Sequence, residues 1–151
     1  MSEQPTLTVE LTYREGFSFT AHYPGGNIPD LITDEGPPLG QGLGPSPTAL
    51  LATAVGNCLS TSLLFCLRKA HLEPKAMKTA VHATLTRNDK GRLRITALEV
   101  KLDVDGLEQP KDRTARCIEL FEDYCVVTAS VRAGIPVAVT VNIDGQPVYS
   151  S

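Results

Sequence analysis

Four cysteines carry the widest chemistry in this chain: Cys58, Cys66, Cys117 and Cys125. A thiolate is a nucleophile and a metal ligand, whereas a buried thiol is merely a small hydrophobe. They form two pairs, each eight residues apart along a stretch with helical periodicity. Eight residues of helix rise about 12 Å, beyond disulfide reach, so any bond runs between the two stretches. There is no C-x-x-C, and His22, His71 and His82 are scattered, so no metal is expected. Cys66 and Cys117 stand among Leu64, Phe65, Ile118 and Leu120, the setting of buried, inert cysteines. Cys58 differs, with Gly56-Asn57 before it and Ser60-Thr61-Ser62 after it. Polar groups inside an apolar helix need a partner or a cavity. Cys125 follows Glu122-Asp123-Tyr124 and opens Cys-Val-Val-Thr, which puts it at the start of a fresh helical turn. Free N–H groups there favour a thiolate. A Cys58–Cys125 redox pair is one of the pairings that spacing leaves open.

The element that must hold Cys58 begins at Pro45-Ser46-Pro47. Ser46 is a good N-cap, and Pro47 suits the first helical turn, where a missing N–H costs nothing. Leu51, Ala54, Val55, Cys58, Ser62, Phe65, Cys66 and Lys69 then recur at three/four spacing. No charge occurs from Thr48 to Leu67, which predicts a helix buried nearly all round. Thr53, Asn57, Ser60, Thr61 and Ser62 make the run too polar for a bilayer span, and no membrane is expected. Arg68, Lys69 and His71 suit the C-terminal end.

Before this helix, residues 6–13 and 17–23 alternate as two strands around the turn Arg14-Glu15-Gly16. Residues 28–33 offer a short third strand. The loop 34–45 holds four glycines and three prolines, fitting either an active-site rim or a plain connector. After the helix, 76–86 and 93–104 form a hairpin across Asn88-Asp89-Lys90-Gly91. Leu98, Val100, Leu102 and Val104 alternate with Glu99, Lys101 and Asp103, giving one packed face and one wet face. A polar link, 106–112, leads to helical spacing over 113–124, with Cys117, Leu120, Phe121 and Tyr124 on one stripe. A further helical piece, 125–131, stops at Gly134, and 136–143 is a last strand. The order predicts an α+β fold, antiparallel sheets packed on two core helices, in a single domain over 1–151.

Bulk properties exclude several classes. With 14 basic and 17 acidic residues, a net charge of −3 and no Trp, there is no nucleic-acid footprint. The start, Met1-Ser2-Glu3-Gln4-Pro5, lacks the basic and apolar regions of a signal peptide, so a cytoplasmic location is expected.

The run Gly44-Pro45-Ser46-Pro47-x-x-Leu50-Leu51-Ala52-x-Ala54-x-x-x-Cys58, followed by Cys125-x-Val127-Thr128, resembles the osmotically inducible protein C / organic hydroperoxide resistance (OsmC/Ohr) superfamily. Gly56-Asn57-Cys58-Leu59-Ser60 looks like a divergent branch. The resemblance implies an intertwined homodimer with the active site at its interface. It also implies a thiol peroxidase acting on organic hydroperoxides, with no cofactor. Cys58 would be the peroxidatic thiolate and Cys125 the resolving thiol, re-reduced by an external dithiol such as a lipoyl group. The family's peroxidases carry a Glu ten residues before the reactive Cys, orienting an activating Arg. Here that position is Thr48, and Arg14 is the nearest match for the cation. Thr48 points toward the alternative, a non-catalytic small-ligand-binding or stress-related dimer with vestigial thiols.

Overall fold

The computed structural model describes residues 4–107 and 111–151. The expected terminus over 1–3 lies outside them, as do residues 108–110 of the expected polar link. The chain divides into two compact units, one ending at Leu50 and the other Leu51–Ser151.

The first unit is a three-stranded antiparallel sheet of β1 (Glu10–Glu15), β2 (Ser18–His22) and β3 (Leu31–Thr33), in that order. β1 starts later than the alternation over 6–13 predicts and continues through Arg14 and Glu15. The turn tightens onto Gly16, whose φ of +55° suits glycine. Every β1 residue is exposed, and Leu11, Tyr13, Phe17, Phe19 and Ile32 are all more than a third exposed. The Gly/Pro loop is ordered by one carboxylate. Asp34 accepts hydrogen bonds from the amides of Glu35, Gln41 and Leu43 at 2.8, 3.1 and 3.2 Å. Burial alone would raise its pKa, but the donors, led by Leu43 and Gln41, overrule this and hold it below the usual value. Gly40 is required here, because a Cβ would collide with the Glu35 carbonyl oxygen.

α1 (Pro47–Lys69) begins as expected, the Ala49 N–H donating to Ser46 Oγ at 3.2 Å. It is buried on one face only, a correction to the expectation of burial all round. Val55, Leu59, Leu63 and Leu67 are fully buried, while Phe65 is 52 % exposed. The inward stripe is thus rotated from the one the spacing marked, because an uncharged helix offers no polar face to fix its orientation. α1 is long and apolar enough to cross a membrane, yet this stripe is spent on the core. His71, at φ +59°, ends the helix in the left-handed conformation, with the Leu72 N–H reaching the Leu67 carbonyl at 2.9 Å.

The second unit's sheet runs β4 (Ala76–Arg87), β5 (Leu93–Asp105), β6 (Val137–Ile143) and β7 (Gln146–Ser150). Leu98, Val100, Leu102 and Val104 are buried against α1's stripe and β6, as the alternation predicts. β5 and β6 are parallel, where an antiparallel sheet was expected. The intervening α2 (Lys111–Leu120), the 3-10 turn Phe121–Tyr124 and α3 (Val126–Arg132) form the long crossover that a parallel pair requires. β7 is a strand the sequence reading stops short of. Asp144-Gly145, at φ +48° and +77°, closes a two-residue hairpin turn. The fold is α+β, with mostly antiparallel strands and helices packed on one sheet.

Candidate functional site

Gly56 is buried, and a Cβ there would meet Val81 Cγ2 at 2.6 Å. Its missing side chain therefore lets α1 lie close on β4, one half-turn before Cys58. Ser60 donates to the Gly56 carbonyl at 2.7 Å and so accepts from Thr79, 2.6 Å away. The Ser60 hydroxyl is thus satisfied by protein partners, one of the two outcomes its polarity called for.

Cys58 is partly exposed and Cys125 fully buried, and both are free thiols. Cys125 is the N-cap of α3, extended at φ −85° and ψ 93°, its carbonyl accepting from Ala129 N–H at 3.0 Å. Its sulfur donates to Thr128 Oγ1 at 2.9 Å, and Cys58 is near enough to act on its titration. The two thiols therefore share one locus. A low pKa was expected for Cys125 from its place at a helix start. Instead burial pushes the thiol up, and the neighbouring Cys58 adds to this, outweighing the Thr128 hydroxyl and amide. Desolvation at a fully buried sulfur exceeds what one short helix returns.

Cys66 and Cys117 are not separate inert hydrophobes. They form a disulfide between α1 and α2, with Cα atoms 5.4 Å apart. Arg14 lies in β1 of the first unit, beside the irregular pairing between Tyr13 and Glu15. It is exposed and makes no ion pair among the described residues. Thr48 sits in α1's first turn.

Several supporting roles escaped the sequence reading. Thr128, part of the Cys125-x-Val127-Thr128 run but given no role there, is 1 % exposed and meets Cys125; i and i+3 at a helix start is the spacing that brings them together. Glu122 anchors the turn before Cys125. It accepts from Tyr149 at 2.7 Å, Arg132 at 3.0 Å and Ser151 at 3.3 Å, while its carbonyl accepts the Cys125 N–H at 3.0 Å. Nothing in the sequence linked residues so far apart.

Burial, then the Glu122 carboxylate, pushes Tyr149 up to about 12. A raised folded-state pKa means the fold favours the protonated phenol. That stability is complete below the free tyrosine value of about 10 and is lost as pH rises through about 12. In a spectrophotometric alkaline titration a phenolate should therefore emerge late, and Tyr149→Phe should delete that late phase. A late phase that survives Tyr149→Phe would refute the assignment.

A family model described as OsmC-like protein matches residues 40–140. No curated protein matches the sequence. Solved structures share the fold at low identity. An OsmC-like protein of unknown function from Vibrio cholerae has a TM-score of 0.76 at 17 % identity, covering 93 % of this chain and 99 % of its own. An organic hydroperoxide resistance protein from Elizabethkingia anophelis has a TM-score of 0.71 at 16 %, covering 95 % and 99 %. The organic hydroperoxide resistance protein OhrB of Bacillus subtilis has a TM-score of 0.60 at 16 %, covering 89 % and 98 %. The family match spans two thirds of the chain, and the chain belongs to the OsmC-like family.

Proposed function

We propose that this chain is a thiol peroxidase that reduces organic hydroperoxides through Cys58 and Cys125. The observation that carries the reading is a partly exposed free thiol beside a fully buried free thiol. A peroxide can approach the first, and only the first can then pass its oxidation to the second. The Cys58 thiolate attacks the O–O bond, the alcohol departs, and sulfur becomes a sulfenic acid. The Cys125 thiol displaces water from it and closes the disulfide, which an external dithiol, such as a lipoyl group, reopens by exchange. Sulfur supplies both electrons, so the cycle uses no metal or organic cofactor. Arg14 is the cation proposed to activate Cys58.

A cytoplasmic homodimer belongs to the same proposal. The apolar residues exposed on the first unit's sheet, Leu11, Tyr13, Phe19 and Ile32 among them, are what a second copy would cover. Thr48 in place of a carboxylate favours the second reading, a ligand-binding member of the family.

The test is a thiol count on purified protein before and after one equivalent of cumene hydroperoxide, with peptide mapping. Two free thiols should disappear within seconds as a Cys58–Cys125 disulfide. Two thiols still unreacted after minutes would replace the peroxidase with the binding protein.

A further inference from the structure

A cleft of about 340 Å³ opens over the Cys66–Cys117 disulfide. Its walls carry Lys69, Arg113 and Arg116 and no carboxylate, around an apolar surface of Phe65, Leu120 and Tyr124. Three cations in one cleft stand out on a chain whose net charge is −3. Lys69 rests 4.9 Å over the Phe65 ring, and among the described residues Arg113 and Arg116 make no ion pair. Cys66 is partly exposed while Cys117 is 4 % exposed, so a nucleophile from the cleft meets Cys66 first. A bond placed only to staple two helices has no need of a cationic approach. In a reducing compartment, moreover, most protein disulfides are transient and take part in redox chemistry.

We propose that Cys66–Cys117 is a second redox site, separate from Cys58 and Cys125, at which a small thiol carrying carboxylates docks in the cationic cleft and exchanges with the disulfide. The thiolate attacks Cys66 Sγ, forming a mixed disulfide and expelling the Cys117 thiolate. A second molecule of the same thiol attacks the mixed disulfide at the bound thiol's sulfur. Cys66 then leaves as a thiolate, and the two small thiols depart joined by a disulfide. Two thiols are oxidised, one protein disulfide is reduced, and the two protons released by the small thiols end on Cys66 and Cys117. The carboxylates pair with Arg113 and Arg116, which raises the local thiol concentration over the bond. None of this depends on what happens at Cys58.

The experiment follows reduction of Cys66–Cys117 by mass mapping in the full chain. It compares glutathione, a positively charged amino-thiol and neutral dithiothreitol at equal thiolate concentration. Glutathione should outpace the amino-thiol by about tenfold or more at low salt, an advantage that salt erodes. Arg113→Gln with Arg116→Gln should lower the ratio of the glutathione rate to the dithiothreitol rate by a similar factor. The dithiothreitol rate and the salt dependence of the unmodified chain guard against a misfolded variant. Equal rates for the two charged thiols, a ratio unmoved by the double substitution, or a disulfide that glutathione leaves untouched in the native protein would each overturn the proposal.

Discussion

Replacing Cys58 by serine should abolish hydroperoxide turnover, a loss on the order of 10³-fold or more, as removal of a reacting nucleophile commonly gives. A serine hydroxyl is neither ionised at neutral pH nor able to supply two electrons to an O–O bond, so nothing remains to take oxygen. Cys125→Ser should act differently. Its first turnover survives, because Cys58 is intact, but the sulfenic acid then persists and climbs toward the sulfinic state. The pair is thus distinguished by a burst of one alcohol per chain in one variant and none in the other. Cys66→Ser provides the contrast. It opens the disulfide across a sequence separation of 51, which loop closure values at about 4 kcal/mol. Turnover at 25 °C should nevertheless stay largely intact. Equal loss of turnover from Cys58→Ser and Cys66→Ser would sink the division of roles. Stopped-flow consumption of cumene hydroperoxide, with urea unfolding on the same samples, separates activity from stability.

Helical spacing excluded bonds within each pair but left the pairings between the two stretches open; only the polar surroundings of Cys58 and the helix-start position of Cys125 set these two thiols apart. β4 and β5 were legible for an equally local reason, since strict alternation from Leu98 to Asp103 permits only one buried face. What escaped depends on neighbours distant in sequence. α1 has no charged face, so its periodicity could not tell that Leu59, Leu63 and Leu67 turn inward while Phe65 turns out. The stripe through Cys117 was half misread, because 117, 120, 121, 124 and 114, 117, 118, 121 are equally good helical sets and no local feature chooses between them. Thr114, Cys117, Ile118 and Phe121 turn in, while Leu120 and Tyr124 turn out and reach the cationic cleft. The Cys66–Cys117 bond and the position of Glu122 require knowing how α1, α2 and β7 lie together. No local pattern encodes that.

Phe121→Ala should cost about 3–5 kcal/mol, the usual toll of emptying an aromatic site in a core. The ring is fully buried and meets Tyr149 edge to face, centroids 5.6 Å apart with planes at 70°. A domain of this size is stable by only about 5–15 kcal/mol, so the urea midpoint should fall steeply with an unchanged slope. Phe121 also begins the turn that ends on Cys125, whose amide is tied to the Glu122 carbonyl. Loosening that turn should slow closure of the Cys58–Cys125 disulfide after oxidation, even at temperatures where the variant remains folded. Cys66→Ser, with a stability loss of similar size, should close the same disulfide at the unmodified rate, because it leaves the buried Phe121 ring and the Glu122–Cys125 turn in place. The comparison isolates position from stability. If both variants slow closure equally, the turn has no special hold on Cys125, and general softening of the second unit accounts for both. A loss below about 1 kcal/mol from Phe121→Ala would mean that the core collapses around the missing ring, against the burial seen here.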